Sequence, residues 1–244
     1  MTKIVPAGSD VGLQPAGHAK VVRMEVGRDS VKALADLVFV IDTTGSMNDK
    51  IDGLIESCQS FVDRLATRHI DWAAAVVGFG DLTVEGDRIV ATPFSSSADR
   101  VKELLRRLPR YSGGGNEGES SLEALRAALN QPGYRVDAIK VLVLITDEPA
   151  LQRQLRPATV TGMLREAGAM AFVLSPKINY FRAMAADTGG EWWNVESGGD
   201  FSKILSVFDK IAKKVASTVA AVHQLADGNV KEYLKLPAST RNED

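Results

Sequence analysis

Three long apolar runs punctuate the chain, at residues 36–41, 72–79 and 140–146. Between them lie stretches in which apolar residues recur at steps of three and four. The clearest runs through Met47, Ile51, Leu54, Ile55, Cys58, Phe61, Val62 and Leu65, the pattern of a helix with one buried face. Further helices are expected at 99–108, where Asp99 favours the N-terminus and Pro109 ends the run, and at 120–129, 158–166, 179–187 and 200–225. Shorter strands are expected at 88–92, 169–174 and 191–195, the first a candidate sheet edge. Strands apolar on both faces and alternating with helices predict a doubly wound α/β domain, a mostly parallel sheet with helices on both faces. Ligands in such sheets sit at the carboxyl ends of strands where the winding reverses. Asp42 and Asp147 each follow a long apolar run, which predicts both on that edge.

Organisation follows from where the periodicity starts and stops. Residues 1–30 are rich in Gly, Pro and Ala and read as an irregular arm, 31–226 as the domain, and 227–244 as a polar tail expected to fray. A chain of 244 residues, 45% hydrophobic and 25% charged, builds a core of this size without disulfides. Its one cysteine, Cys58, falls inside the apolar helical pattern and reads as a buried, inert thiol. With a net charge of −2 and both signs interspersed there is no basic stripe for nucleic acid. No window approaches the roughly 18 apolar residues of a membrane span. The first residues have no apolar stretch of the kind a secretory leader needs, so a cytoplasmic location is expected.

The chemistry gathers where the first apolar run ends, in LVFVIDTTGSM (37–47). Side chains at i, i+2 and i+4 of an extended segment point the same way, so Asp42, Thr44 and Ser46 aim a carboxylate and two hydroxyls at one region. Ser and Thr before a helix are also ordinary caps, and Asp is favoured there by the helix dipole. Capping, however, uses one oxygen rather than three, and a cap does not call for Asp147 on the neighbouring strand end. These are hard oxygen donors of the kind Mg²⁺ takes, usually with one or two carboxylates and several waters.

Asp42-Thr43-Thr44-Gly45-Ser46-Met47, GGGNEGESSLEAL (113–125), LITDEP (144–149) and AADTGGEWWNV (185–195) occur in that order. In that order and spacing they make residues 36–215 resemble a von Willebrand factor type A (vWA) domain. The resemblance implies a Rossmann-like sheet whose short edge strand, 88–92, is antiparallel. It also implies a metal-ion-dependent adhesion site, with Thr44 and Ser46 as direct ligands and Asp42 and Asp147 holding the ion directly or through water. At the remaining ligand position, usually Thr or Asp, the best match is Asn116, which brings no charge. Glu119 matches an acidic position at a helix start and is assigned to loop bracing ahead of ligation. Glu148 stands where many relatives have glycine and is placed on the rim. The implied ion is Mg²⁺, with Mn²⁺ or Ca²⁺ as alternatives. The implied partner is a protein that supplies an acidic side chain, in intracellular relatives often within an assembly containing an ATPase, kinase or phosphatase.

Gly113-x-Gly115-x-x-Gly118 formally matches a dinucleotide fingerprint but does not directly follow a strand, so it is set aside. A hydrolase centred on Asp42 is the less favoured reading: no second Asp lies two residues on, and His18, His69 and His223 fall outside the motif loops. A scaffold whose cluster no longer binds metal is the other alternative. Trp192 and Trp193, adjacent in a strand, are expected to face opposite sides of the sheet. Tyr111 and Tyr180 are expected on the metal edge.

Overall fold

The computed structural model describes residues 33–48, 50–53, 61, 64–65, 67, 69–115, 118–194 and 201–241, without the side chains of 201–209. Six strands form one sheet in the order β3-β2-β1-β4-β5-β6. They are β1 (Ala33–Asp42), β2 (Ile70–Phe79), β3 (Ile89–Ala91), β4 (Ile139–Ile145), β5 (Ala169–Ser175) and β6 (Trp192–Asn194). All neighbours pair in parallel except β2 and β3, which makes β3 the expected antiparallel edge. Helical residues between 48 and 67 are described only in part; the helices with described bounds are α1 (Ala98–Arg106), α2 (Ser121–Asn130), α3 (Pro157–Glu166), α4 (Asn179–Asp187), α5 (Phe201–Ala226), α6 (Val230–Lys235) and α7 (Ala238–Arg241). No helix among the described residues is long and apolar enough to cross a membrane.

The unbroken apolar runs become strands because alternate residues feed two different cores. From β1, Leu37, Phe39 and Ile41 enter one cluster, whereas Val38 and Val40 enter the other. The first cluster is closed by Met47, Ile51, Phe61 and Leu65, by α1 through Val101, Leu104 and Leu105, and by α5 through Ile211, Val215, Val219 and Val222. The second is closed by Leu122, Leu125 and Ala128 of α2, Val160 and Leu164 of α3, and Phe181 and Met184 of α4. The described members of the first helical pattern are therefore all core residues; Cys58 lies outside the described residues. Trp192 packs on the second cluster and Trp193 on the first, as the strand pattern requires.

Two features differ from the sequence reading. Residues 230–241, read as part of a polar tail, form α6 and α7, and Val230 and Tyr233 are buried in the first cluster. Asn229 caps α6 by accepting from the amides of Lys231 and Glu232. The other is Asp36, fully buried within β1. Its carboxylate accepts from the Arg135 amide (2.6 Å) and from Arg135 Nε (2.7 Å), while the same guanidinium reaches Asp71 Oδ1 and the carbonyls of Ala35 and Asp71. This clamp closes the amino-terminal edge of the sheet, opposite the carboxylates at the strand ends.

Candidate metal centre

Pairing of β1 with β4 in register brings Ile41 beside Ile145, so the loops that follow start from adjacent strand ends. Asp42 is the last residue of β1, and a 3₁₀ turn, Gly45–Met47, reverses the chain directly after it. Asp42 Oδ1 accepts from the Thr44 amide (3.0 Å) and from Thr44 Oγ1 (2.6 Å). Thr44 Oγ1 lies 3.4 Å from Ser46 Oγ, and Ser46 Oγ donates to Asp147 Oδ1 at 2.9 Å. The expected quartet Asp42, Thr44, Ser46 and Asp147 is thus one continuous chain of oxygens between the two central strands. Its walls are buried at Asp42, Thr44 and Asp147, and it opens to solvent at Gly45 and Ser46. Asn116 lies outside the described residues. Glu148, next to Asp147, is half-buried.

Two residues the sequence reading did not assign complete the arrangement. Thr146 Oγ1 donates to Asp42 Oδ2 (2.8 Å), which ties the β4 loop to the β1 carboxylate. Lys50, only 5% exposed, donates its ammonium to Asp147 Oδ2. The sequence carries a local signal for Thr146 and only a positional one for Lys50. Thr146 is a hydroxyl immediately before Asp147, and Lys50 stands four residues after Ser46, on the same face once the chain turns helical.

Glu119 is buried, at 4% exposure, yet its placement is backbone work. Its amide donates to Pro149 O and its carbonyl accepts from Leu151, both at 2.8 Å, a parallel bridge that stitches this stretch to the Asp147 loop. Gly118 lets the chain pass: its φ is +133°, and a Cβ there would lie 2.7 Å from Pro149 O. The neighbouring loop lies over the first motif, with the Tyr111 amide on Thr43 O (2.8 Å). A Cβ on Gly113 would stand 3.0 Å from Glu119 Oε1 and 3.1 Å from Thr44 Cβ, so this carboxylate and Thr44 flank the same point. Tyr180 is drawn into the same group of loops, its hydroxyl accepting from the Ala150 amide at 2.7 Å.

Charge is the dominant strain at this edge. Burial pushes the Asp42 carboxyl up to about 6, against the hydrogen bonds from Thr44 and Thr146, and the charge of Asp147 adds to the rise. Burial likewise pushes Glu119 up to about 8, with Asp42, Asp81, Asp87 and Glu148 adding their repulsion in that order. Glu148 is raised by burial and by Asp147, with Lys50 opposing. Asp81, just beyond β2, repeats the turn made by Asp42: its Oδ1 accepts from the amide (2.8 Å) and hydroxyl (2.7 Å) of Thr83. Three adjacent strands thus deliver buried carboxylates to one edge.

Such an edge suits a hard divalent cation, because every facing donor is oxygen and the charge excess is negative. Among the described residues no three His, Cys, Asp or Glu side chains converge on one point. An ion here would therefore depend on the hydroxyls of Thr44 and Ser46 beside the carboxylates of Asp42 and Asp147.

Fold and edge together define a doubly wound α/β domain with an oxygen-lined cleft at the carboxyl ends of its central strands. The von Willebrand factor type A domain family matches residues 36–191, and the chain belongs to that family. Domains of this family are generally adhesion or interaction modules. Among solved structures the fold is shared with proximal thread matrix protein 1 from the mussel byssus, described with a zinc-occupied MIDAS motif: 19% identity, TM-score 0.58, covering 76% of this chain and 46% of that one. It is also shared with the pilus adhesin SpaC from Lactobacillus rhamnosus GG in its open conformation: 14% identity, TM-score 0.56, covering 77% and 30%. The chain spans less than half the length of either protein. No curated protein matches the sequence.

Proposed function

We propose that this chain is a divalent-ion-dependent protein-binding module, with Mg²⁺ as its ion. Asp42, Thr44, Ser46 and Asp147 hold the ion, and a partner's Asp or Glu side chain completes its coordination. One observation carries the reading: the unbroken run of oxygens from Asp42 through Thr44 and Ser46 to Asp147, shared by the two central strands and open at Ser46. Hydroxyls add no charge to the two carboxylates, so an ion held here keeps the electrophilicity to take one more anionic oxygen. A MIDAS motif carrying zinc in the mussel protein supports divalent binding on this fold, and the family's general use in adhesion and interaction supports a protein partner. From the resemblance to intracellular members of the family, the partner is read as part of a multi-protein assembly in the cytoplasm.

The test is a pull-down with the whole chain as bait, run in Mg²⁺ and in EDTA, with Asp42→Ala alongside. A partner retained only by wild type in Mg²⁺ is the expected result. Equal retention in all three conditions would sink the metal-clasp reading and move the recognition surface elsewhere.

A further inference from the structure

Lys50 is a fixed cation inside a site whose oxygens suit a cation. Its side chain is 7% exposed, and its ammonium donates to Asp147 Oδ2 while Ser46 Oγ donates to Oδ1. The partners of the other carboxylate are of a different kind. Asp42 accepts from the Thr44 amide and from the hydroxyls of Thr44 and Thr146, all neutral. Neutral donors orient a carboxylate without cancelling its charge, whereas an ammonium does both. Burying an ammonium costs free energy even when it is paired, so its presence needs a reason that a hydroxyl could not serve. Bracing the two loops is not that reason: Thr146 Oγ1 on Asp42 and Ser46 Oγ on Asp147 already tie the loop after β1 to the loop after β4. What Lys50 adds is charge.

Two carboxylates alone would make a divalent ion neutral in sum, and a partner's carboxylate would then enter a site with no charge left to meet it. With the ammonium of Lys50 on Asp147, the same ion leaves the group one unit positive, and the partner's carboxylate brings it to neutrality. Glu119 and Glu148 enter both sums alike, so the difference of one unit made by Lys50 stands. Oδ1 of Asp147 is the oxygen on the Ser46 side, where the run of oxygens opens to solvent, and the ammonium holds the other oxygen. An ion entering there shares Asp147 with Lys50 and need not displace it. We propose that Lys50 is the charge-setting and positioning residue of the site: it weakens the grip on the ion alone and strengthens the loaded ion's grip on an anionic partner oxygen. Metal and partner thereby bind as a pair, and a carboxylate is selected over a neutral amide of the same shape. This rests on the metal-clasp reading and deepens it.

The experiment is calorimetric titration of the full chain with Mg²⁺, for wild type and Lys50→Met, in sodium chloride, in sodium acetate and in acetamide at matched ionic strength. Acetate stands in for the partner's carboxylate and acetamide for its neutral counterpart. In wild type, acetate should tighten the Kd for Mg²⁺ by at least about fivefold, the low end of ordinary coupling between two ligands, and acetamide should leave it unchanged. Lys50→Met should bind Mg²⁺ in chloride at least about tenfold more tightly than wild type, because a full positive charge beside the ion has gone. Acetate should then move its Kd by less than about twofold. A lysine that served only to hold the loops would change metal affinity in the opposite direction, so equal or weaker binding of Mg²⁺ by Lys50→Met would overturn the proposal. So would a wild-type Kd indifferent to acetate, a result that needs no variant to fold. Absence of any Mg²⁺ binding by wild type would overturn the clasp itself, and this role with it.

Discussion

Replacing Lys50 by Met tests how the metal-free site survives its own charge. In that form the Lys50 ammonium lies on Asp147, with side-chain exposures of only 7% and 2%. Met fills much the same volume but takes the ammonium away from a buried carboxylate, whose Oδ1 still accepts from the Ser46 hydroxyl. Removing one member of a buried pair costs about 3–5 kcal/mol, most of it the penalty of the stranded charge. For a unit of this size each kcal/mol lowers Tm by about 2–4 °C, so a fall of about 10 °C is expected in EDTA. Divalent cation should narrow the gap, because an ion reaching Asp147 supplies the positive charge the variant lacks. At about one hundred times its Kd a ligand contributes about 2.7 kcal/mol to the form that binds it, and the variant should gain more than wild type through tighter binding. Thermal melts followed by circular dichroism, with EDTA and with saturating Mg²⁺, measure both effects. Equal melting of the two proteins in EDTA would refute the idea that Lys50 compensates a buried charge. A gap unchanged by Mg²⁺ would refute the idea that ion and ammonium serve the same carboxylate.

Two further outcomes follow from the same charges. In EDTA, stability should fall as pH rises from about 4.5 to about 8, because the native Glu119 carboxyl, raised from 4.5 to about 8, keeps a proton that the unfolded chain has released; Asp42 adds to the slope up to about 6. Glu119→Gln should flatten that slope by a few kcal/mol across the window, and urea titrations at pH 5 and pH 8.5 that show the same slope in both proteins would contradict this. Arg135→Met should destabilise by about 3–5 kcal/mol by stranding the buried Asp36, yet leave the Kd for Mg²⁺ unchanged, since the clamp is at the other edge of the sheet. A change in metal affinity for that variant would mean that the two edges are coupled through the strands.

The fold was legible because a central parallel strand has nowhere to hide a polar face. Runs such as 36–41 and 140–146 announce burial on both sides, and their ends announce where the cleft must lie. Asp42, Thr44, Ser46 and Asp147 were legible for that reason: each is polar where the apolar run stops. Lys50 was not, because a lysine in an amphipathic helix normally reads as solvated, and only the tertiary pairing with a residue 97 positions away buries it. Glu119 could be placed at a helix start from sequence, but the burial of its side chain is a fact of three dimensions. The terminal helices are a different case. Asn229 followed by Glu232 is a cap signature that a reader attentive to local chemistry can find without coordinates.

The position of Asp42 has a mechanical consequence. It terminates β1, which is laced to β2 over ten residues and to β4 over seven, both in parallel. A pull on Asp42 along the strand loads those two ladders together in shear, with the hydrogen bonds sharing the tension rather than parting one after another. Asp147 is anchored through β4 to the β1–β4 ladder and to a further parallel ladder with β5. A weight hung between these two carboxylates is therefore borne by the middle of the sheet, its stiffest part, and not by the loops from which it hangs.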